Sequence, residues 1–303
     1  MRNRIPAMKV AEGNMEERNM EKQNAIEVNH LTKGYPGFSL DIPQFVLPQG
    51  SIVGLVGENG AGKSTLIKLI MGMIHPENGS VILLGRDNRK DIHLLKEDIG
   101  VVLDQMGIPE CLNSVQLGKI MAATFLHWDE SCYEQLIKRW KLPTDKEFKD
   151  FSKGMKMQLQ LAVALSHNVR LLILDEATNG LDPVIRDEIL DILEEFTRRE
   201  EHSVLLSSHI VSDLEKISDY IAFLHQGRLL LFDEKDRLLD NYGLLQCNGQ
   251  ELEALPKESV WIKRTTAYGI EAVVDRRGLS GGENISPVSL EELFIAMVKE
   301  GGQ

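Results

Sequence analysis

Apolar residues follow two rhythms along this chain, and the alternation between them predicts an architecture. Unbroken apolar runs at SIVGLVG (51–57), LLILD (171–175) and SVLLSSH (203–209) read as strands of a parallel sheet covered on both faces, because a half-solvated strand would alternate instead. Between the last two, Ile185, Ile189, Leu190, Ile192, Leu193 and Phe196 recur at helical spacing. Strand–helix–strand alternation predicts an α/β domain with a largely parallel sheet. Residues 108–168 break the rhythm: QLGKIMAATFL, ESCYEQLIKRW and KMQLQLAVALSH all read as helices. They predict an all-helical insertion of roughly 60 residues, able to move as a subdomain. YIAFLHQGRLLLF (220–232) reads as a hairpin turning at Gln226–Gly227. Beyond about residue 236, strand-like SVWIKR and IEAVVD precede a helix from Ser289, where Ser289 and Glu292 have capping-box spacing. Residues 1–24 are polar, hold four methionines and show no clean period, so a disordered tail is expected there, with Met8, Met15 or Met20 as alternative starts. The main domain is then 25–235, followed by a small accessory region, 236–303.

Composition narrows this picture little. With 303 residues, 43% hydrophobic and 26% charged, the chain has ample material for a buried core, as one large domain plus a small one. Charge changes more: 34 Lys and Arg against 46 Asp and Glu give a net −12, which disfavours nucleic acid as a main partner. Cys111, Cys132 and Cys247 lie far apart without CxxC spacing, which fits buried free thiols in a reducing compartment. No apolar run approaches the ~18 residues of a membrane-spanning helix, and the N-terminal stretch has no signal-peptide core. A cytosolic protein is expected, with any membrane attachment made through a partner.

Chemistry enters at GENGAGKST (57–65), which fits G-x-x-x-x-G-K-[ST] with Gly57, Gly62, Lys63 and Ser64 in place. Backbone N–H groups of Gly57, Glu58, Asn59, Gly60, Ala61 and Gly62 curl around phosphate oxygens, and a helix starting at Lys63 directs its positive end at them. Lys63 neutralises the outer phosphates, Ser64 is placed to ligate Mg²⁺, and Thr65 completes the loop. A chance glycine-rich turn is the bland alternative. The apolar strand before the motif and the helix STLIKLIMGMI after it argue against that. Asp175 ends the strand LLILD, at the edge where parallel sheets gather ligands, and would hold Mg²⁺ directly or through water. Glu176 would orient and deprotonate the attacking water. His209 ends the next strand and would hold the water and Glu176 in register, whereas His202, at that strand's other end, reads as structural.

In combination and order these motifs resemble the nucleotide-binding subunit of an ATP-binding cassette (ABC) transporter, over residues 25–235. The resemblance implies a P-loop cassette with a mostly parallel core, a β subdomain and a helical subdomain, extended here by a small C-terminal α+β region. It implies that Tyr35, 22 residues before Gly57, stacks on adenine, that Asp182 lies in the D-loop (GLD, 180–182), and that His209 is the switch histidine. The Q-loop falls at IGVVLDQ (99–105), where Asp104 takes the place of the family's Gln and Gln105 follows, so either is the candidate. It further implies an ATPase whose cofactors are ATP and Mg²⁺, sandwiching two ATPs in a head-to-tail homodimer or heterodimer. The permease would be a separate polypeptide holding the subunit on the inner face of the membrane. SKGMK, DEATNGLDP and SSHIVSDLEKISDY most resemble export-type (ABC-2) subunits, which handle drugs, peptide antibiotics or lipophilic compounds. A soluble ABC ATPase of translation or DNA maintenance is the first rival, but the chain has one cassette and no long coiled coil. A catalytically weak regulatory ATP-binding protein is the second, set against intact Lys63, Asp175, Glu176 and His209.

Two segments compete for the family's LSGGQ-type signature. LSGGE (279–283) matches the letters but lies 104 residues beyond Asp175, with Pro287 soon after. FSKGM (151–155) keeps only Ser152 and Gly154, with Lys153 and Met155 substituted, yet it precedes Asp175 and opens a helix free of Gly and Pro. A hydroxyl and backbone N–H groups at a helix start are what a γ-phosphate needs. Ser152, Lys153 and Gly154 are therefore expected to act in trans on the partner's ATP, and LSGGE to form a turn.

Overall fold

The computed structural model describes residues 23–103, 107–266, 269–279 and 285–300. Its main sheet contains β1 (Asn24–Tyr35), β2 (Phe38–Pro48), β3 (Ile52–Val56), β4 (Asn78–Leu83), β5 (Arg86–Asp87), β6 (Ile99–Val102), β7 (Leu171–Asp175), β8 (Ser203–Ser208), β9 (Tyr220–His225) and β10 (Arg228–Glu234), in the order β5-β4-β1-β2-β10-β9-β3-β8-β7-β6. The half from β9 to β6 is parallel and contains each of the apolar runs. β3, β7 and β8 are buried along their whole length, as strands between two covered faces must be. The other half is mainly antiparallel, built on the β1–β2 pair. Sequence periodicity did not specify that pair. His30 adopts φ 48 and the β1–β4 register slips between Asn29 and Thr32, so the two-residue alternation of β1 breaks in mid-strand. The β9–β10 hairpin turns at Gln226 and Gly227, with φ 46 and 77, the left-handed pair that matches strand twist.

The helices are α1 (Lys63–Ile70), α2 (Ile92–Leu95), α3 (Ser114–Thr124), α4 (Glu130–Arg139), α5 (Lys153–Leu165), α6 (Pro183–Phe196), α7 (Val211–Ile217), α8 (Lys235–Asn241), α9 (Gly249–Ala254) and α10 (Leu290–Glu300). α3, α4 and α5 make up the helical insertion. Each starts on a side-chain cap: Asn113, in a reciprocal box with Gln116, then Asp129, then Ser152. The buried Tyr133 hydroxyl donates to Ser114 O at 2.7 Å, tying α4 to α3, and Phe125 stacks on His167 with centroids 4.1 Å apart. The insertion's interior (Leu117, Tyr133, Phe148, Phe151) runs without a break into the layer beneath the sheet (Val102, Leu172, Leu174, Val204).

A second sheet is built from β11 (Tyr242–Cys247), β12 (Val260–Thr266), β13 (Gly269–Asp275) and β14 (Ile285–Pro287), antiparallel in the order β12-β13-β11-β14. α10 begins on the expected capping box, with the Glu292 N–H on Ser289 Oγ at 3.2 Å and the Ser289 N–H on Glu292 Oε2 at 2.9 Å. This helix packs against β9 and α7 beside the main sheet. Phe294 lies 5.2 Å, ring to ring, from Phe223 of β9, and the Leu290 N–H donates to Glu215 of α7 at 3.2 Å. Phe294→Ala empties a site in the shared core and is expected to cost about 3–5 kcal/mol in urea unfolding. A loss below about 1 kcal/mol would show that this contact does not hold the helix down.

The cysteines differ in part from expectation. All three are free, but Cys111 is exposed and Cys132 half-buried, leaving only Cys247 in a core. Cys111 lies in the loop before α3, between Glu110 and the core-packed Leu112. No helix among the described residues is long and apolar enough to cross a membrane. Residues 1–22, Asp104, Gln105 and the Ser280–Glu283 part of LSGGE lie outside the described residues. Just beyond LSGGE the chain forms the strand Ile285–Pro287, with Pro287 in it, and not the long helix a signature opens.

Candidate nucleotide site

β3 ends at Val56 between β8 and β9, within the parallel half, and α1 begins at Lys63. The turn between them requires left-handed backbone at Gly60 (φ 85) and Gly62 (φ 109). A Cβ at Gly62 would also lie 2.9 Å from Phe38 Cζ, so the β1–β2 turn packs directly on the loop. The β9–β10 turn clamps it from another side, the Gly227 N–H donating to Ala61 O at 2.8 Å. Glu58, Asn59 and Gly60 form the exposed crest, with Ser64 exposed and Thr65 half-buried behind it. Lys63 is 5% exposed and folds back over the turn, donating to Gly57 O at 2.6 Å and Glu58 O at 3.2 Å.

Across the sheet, Asp175 pairs in register with Ser207 of β8. The Ser207 hydroxyl, fully buried, donates to Asp175 Oδ1 at 2.6 Å and accepts the Glu176 N–H at 3.1 Å. The Ser207 carbonyl accepts that N–H as well, at 3.1 Å. Glu176 has φ 55, a left-handed conformation costing a non-glycine residue about 1–2 kcal/mol. The contacts around it hold it there. Its Oε1 lies 2.8 Å from Lys63 Nζ, an ion pair without hydrogen-bond alignment. Its Oε2 lies 2.6 Å from His209 Nδ1. A carboxylate only accepts, so Nδ1 carries the proton and Nε2 remains on the other side of the ring.

The predicted residues thus fall into two groups. Lys63, Asp175, Glu176 and His209 meet in one cluster with the phosphate loop. Tyr35 stands at the β1–β2 turn, 44% exposed, opposite Phe38 in the register, with Lys33 Nζ 5.7 Å from its ring. Ser152, Lys153 and Gly154 do not join the cluster of their own chain. Ser152 caps α5 through the Met155 N–H at 3.2 Å, and the neighbours of Lys153 and Gly154 are Gly180 and Ile185. The Asp182 carboxylate caps α6, accepting the Val184 and Ile185 N–H groups at 3.2 and 3.1 Å. His202 is structural, as expected. It stacks on Phe196 and its Nδ1 lies 3.0 Å from Phe196 O, and burial lowers its pKa.

The motifs do not reveal Ser207, which links the Asp175 carboxylate to the Glu176 backbone N–H. Its place beside Asp175 is set by the register of β7 on β8, which no spacing along the chain gives. Arg186 and Asp213, which face each other beside Leu181 and one helical turn past His209, had no signal in periodicity or motif.

The surroundings of Lys63 define the class, a P-loop nucleotide-binding cassette. Known proteins narrow it further. The ABC transporter family profile matches residues 40–179, from β2 to just past Glu176. The lantibiotic transport ATP-binding protein SrtF of Streptococcus pyogenes is 35% identical over 215 residues, covering 70% of this chain and 91% of that protein. The bacitracin transport ATP-binding protein BcrA of Enterococcus faecalis is 34% identical over 70% of both chains. An uncharacterized ABC transporter ATP-binding protein of Bacillus subtilis, YhcH, is 31% identical over 92% of this chain and 97% of its own, so that match extends over the second sheet. A solved ATP-binding subunit of an ABC transporter superposes with a TM-score of 0.64 at 28% identity, over 71% of this chain and 92% of that one. The chain belongs to the ATP-binding proteins of ABC transporters, ATPases that energise transport through a separate permease.

Proposed function

We propose that the chain binds Mg²⁺·ATP on the 57–65 loop and hydrolyses it with Glu176 as general base, His209 aligning base and water. The observation that carries this is the position of the Glu176 carboxylate between Lys63 and His209. Lys63 holds an anion there already. Phosphate oxygens reaching Lys63 compete with Oε1, so nucleotide binding transfers Glu176 from the lysine to a water molecule while His209 keeps its grip on Oε2. His209 Nε2 is then the ring atom available to the γ-phosphate. The donor set fits a hard cation: Ser207 occupies one oxygen of the buried Asp175 and leaves the other, and the Ser64 hydroxyl is exposed at the start of α1. Mg²⁺ held by Ser64 and Asp175 would neutralise charge on the phosphate oxygens. Tyr35, on the turn packed over Gly62, is placed to stack on adenine.

The separation of Ser152, Lys153 and Gly154 from the cluster supports their action in trans, with Asp182 beside them, in a head-to-tail dimer of two such subunits. The working unit is then the 25–235 cassette, with 108–168 as the part that moves against the permease and 236–303 as an accessory region. SrtF and BcrA are named for lantibiotic and bacitracin transport. That supports export of a peptide antibiotic or similar lipophilic compound, with the subunit on the cytoplasmic face of the membrane. Ser152→Ala removes one hydrogen bond to a charged phosphate and is expected to lower ATPase activity about tenfold or more. Ser280→Ala is expected to leave activity near that of the unaltered protein. The reverse pattern, measured by phosphate release, would move the signature to LSGGE.

A further inference from the structure

The first turn of α6 touches both the signature segment and the switch helix of its own chain. A Cβ at Gly154 would lie 2.8 Å from Ile185 Cδ1, and one at Gly180 would lie 3.0 Å from Lys153 Nζ. The D-loop and the start of α6 are therefore packed directly against the start of α5. On the other side, Arg186 donates from Nη2 to Leu181 O at 3.3 Å, and its Nε lies 3.9 Å from Asp213 Oδ2 in α7. Asp213 follows His209 by four residues, and its side chain is 6% exposed. Neither Arg186 Nε nor Asp213 Oδ2 has a hydrogen-bond partner among the described residues. Two buried, oppositely charged atoms facing each other without a hydrogen bond form an incomplete contact, since burial penalises both charges and only good geometry offsets it. A slide of about 1 Å brings them to hydrogen-bonding distance. At the surface the same helices are joined by flexible contacts, Lys216 lying 2.5 Å from Asp187 and 3.5 Å from Asp191.

We propose that Arg186 is a positioning residue that couples the signature segment to the switch histidine within one subunit. Engagement of α5 by the partner's nucleotide moves the first turn of α6 through Gly154 and Ile185. Arg186 then closes on Asp213, and α7 keeps His209 on Glu176 as the carboxylate leaves Lys63. Each subunit thereby fires its own base only when it also grips the other subunit's ATP. This rests on the reading of Ser152–Gly154 as acting in trans.

The test compares Arg186→Met with the double variant Arg186→Met/Asp213→Leu, which leaves no unpaired buried carboxylate. Arg186→Met is expected to lower kcat about tenfold with KM for ATP within twofold, and to lower the melting temperature. The double variant is expected to regain the melting temperature but not kcat. Recovery of kcat together with stability would reduce the pair to a structural role and overturn the proposal, as would an unchanged kcat in Arg186→Met. In a Glu176→Gln background, Arg186→Met is expected to leave the ATP-dependent dimer intact, and its loss would contradict a purely transmitting role. Failure of Glu176→Gln alone to dimerise would instead remove the in-trans reading itself.

Discussion

Lys63→Ala is expected to abolish ATP binding while leaving a folded protein. The lysine is the cation at the centre of the phosphate loop, 5% exposed, with two backbone carbonyls and the Glu176 carboxylate around its ammonium group. Those neighbours are all electron-rich. Without the positive charge, phosphate oxygens would face the Gly57 and Glu58 carbonyls and a nearby carboxylate with only the loop N–H groups and the end of α1 to offset the repulsion. The substitution also leaves Glu176 Oε1 unpaired, which costs about 1–3 kcal/mol. Some loss of melting temperature is therefore expected and is not itself the readout. The readout is the nucleotide-dependent part. ATP at about 100 times its Kd stabilises a binding-competent protein by ~2.7 kcal/mol. The unaltered protein is expected to melt higher with ATP, and the Lys63→Ala protein to melt at the same temperature with and without it. A full ATP-dependent shift in the variant would show that the nucleotide sits elsewhere.

Glu176→Gln is expected to keep ATP binding and lose hydrolysis. Glutamine has the same shape and still offers His209 an acceptor oxygen, so the cluster persists. It cannot take a proton from water, and general-base contributions of about 10²–10⁴-fold set the expected fall in kcat. The left-handed backbone at Glu176 is fixed by its N–H on Ser207, which the substitution does not touch. Loss of activity in this variant therefore reports on the carboxylate and not on a collapsed turn. A kcat within a few-fold of the unaltered protein would exclude Glu176 as the base.

These two residues are legible in the sequence, and the reasons are physical. Apolar runs as dense as LLILD and SVLLSS have one stable place, between two covered faces of a parallel sheet, and such sheets gather ligands at their C-terminal edge. Placing Asp175, Glu176 and His209 together followed from that. The helical insertion was equally clear, because α3, α4 and α5 carry their own caps and faces. What stayed hidden depends on contacts without a period. The β1–β2 pair was obscured by the left-handed residue His30 in the middle of β1. Ser207 was hidden because a strand register, and no spacing along the chain, sets it beside Asp175. Arg186 and Asp213 read as ordinary charges of amphipathic helices, and only the packing of α6 on α7 turns them inward. The two signature candidates show the converse. LSGGE has the better spelling but leads into a strand, whereas FSKGM opens a capped helix.

Size-exclusion chromatography with light scattering on the Glu176→Gln protein tests the central claim most directly. With saturating Mg²⁺·ATP the 34.1 kDa chain is expected to elute at twice its mass, and to return to a monomer with ADP or when Ser152→Ala is added. A protein that binds ATP fully and stays monomeric throughout would contradict the ATP-sandwich account.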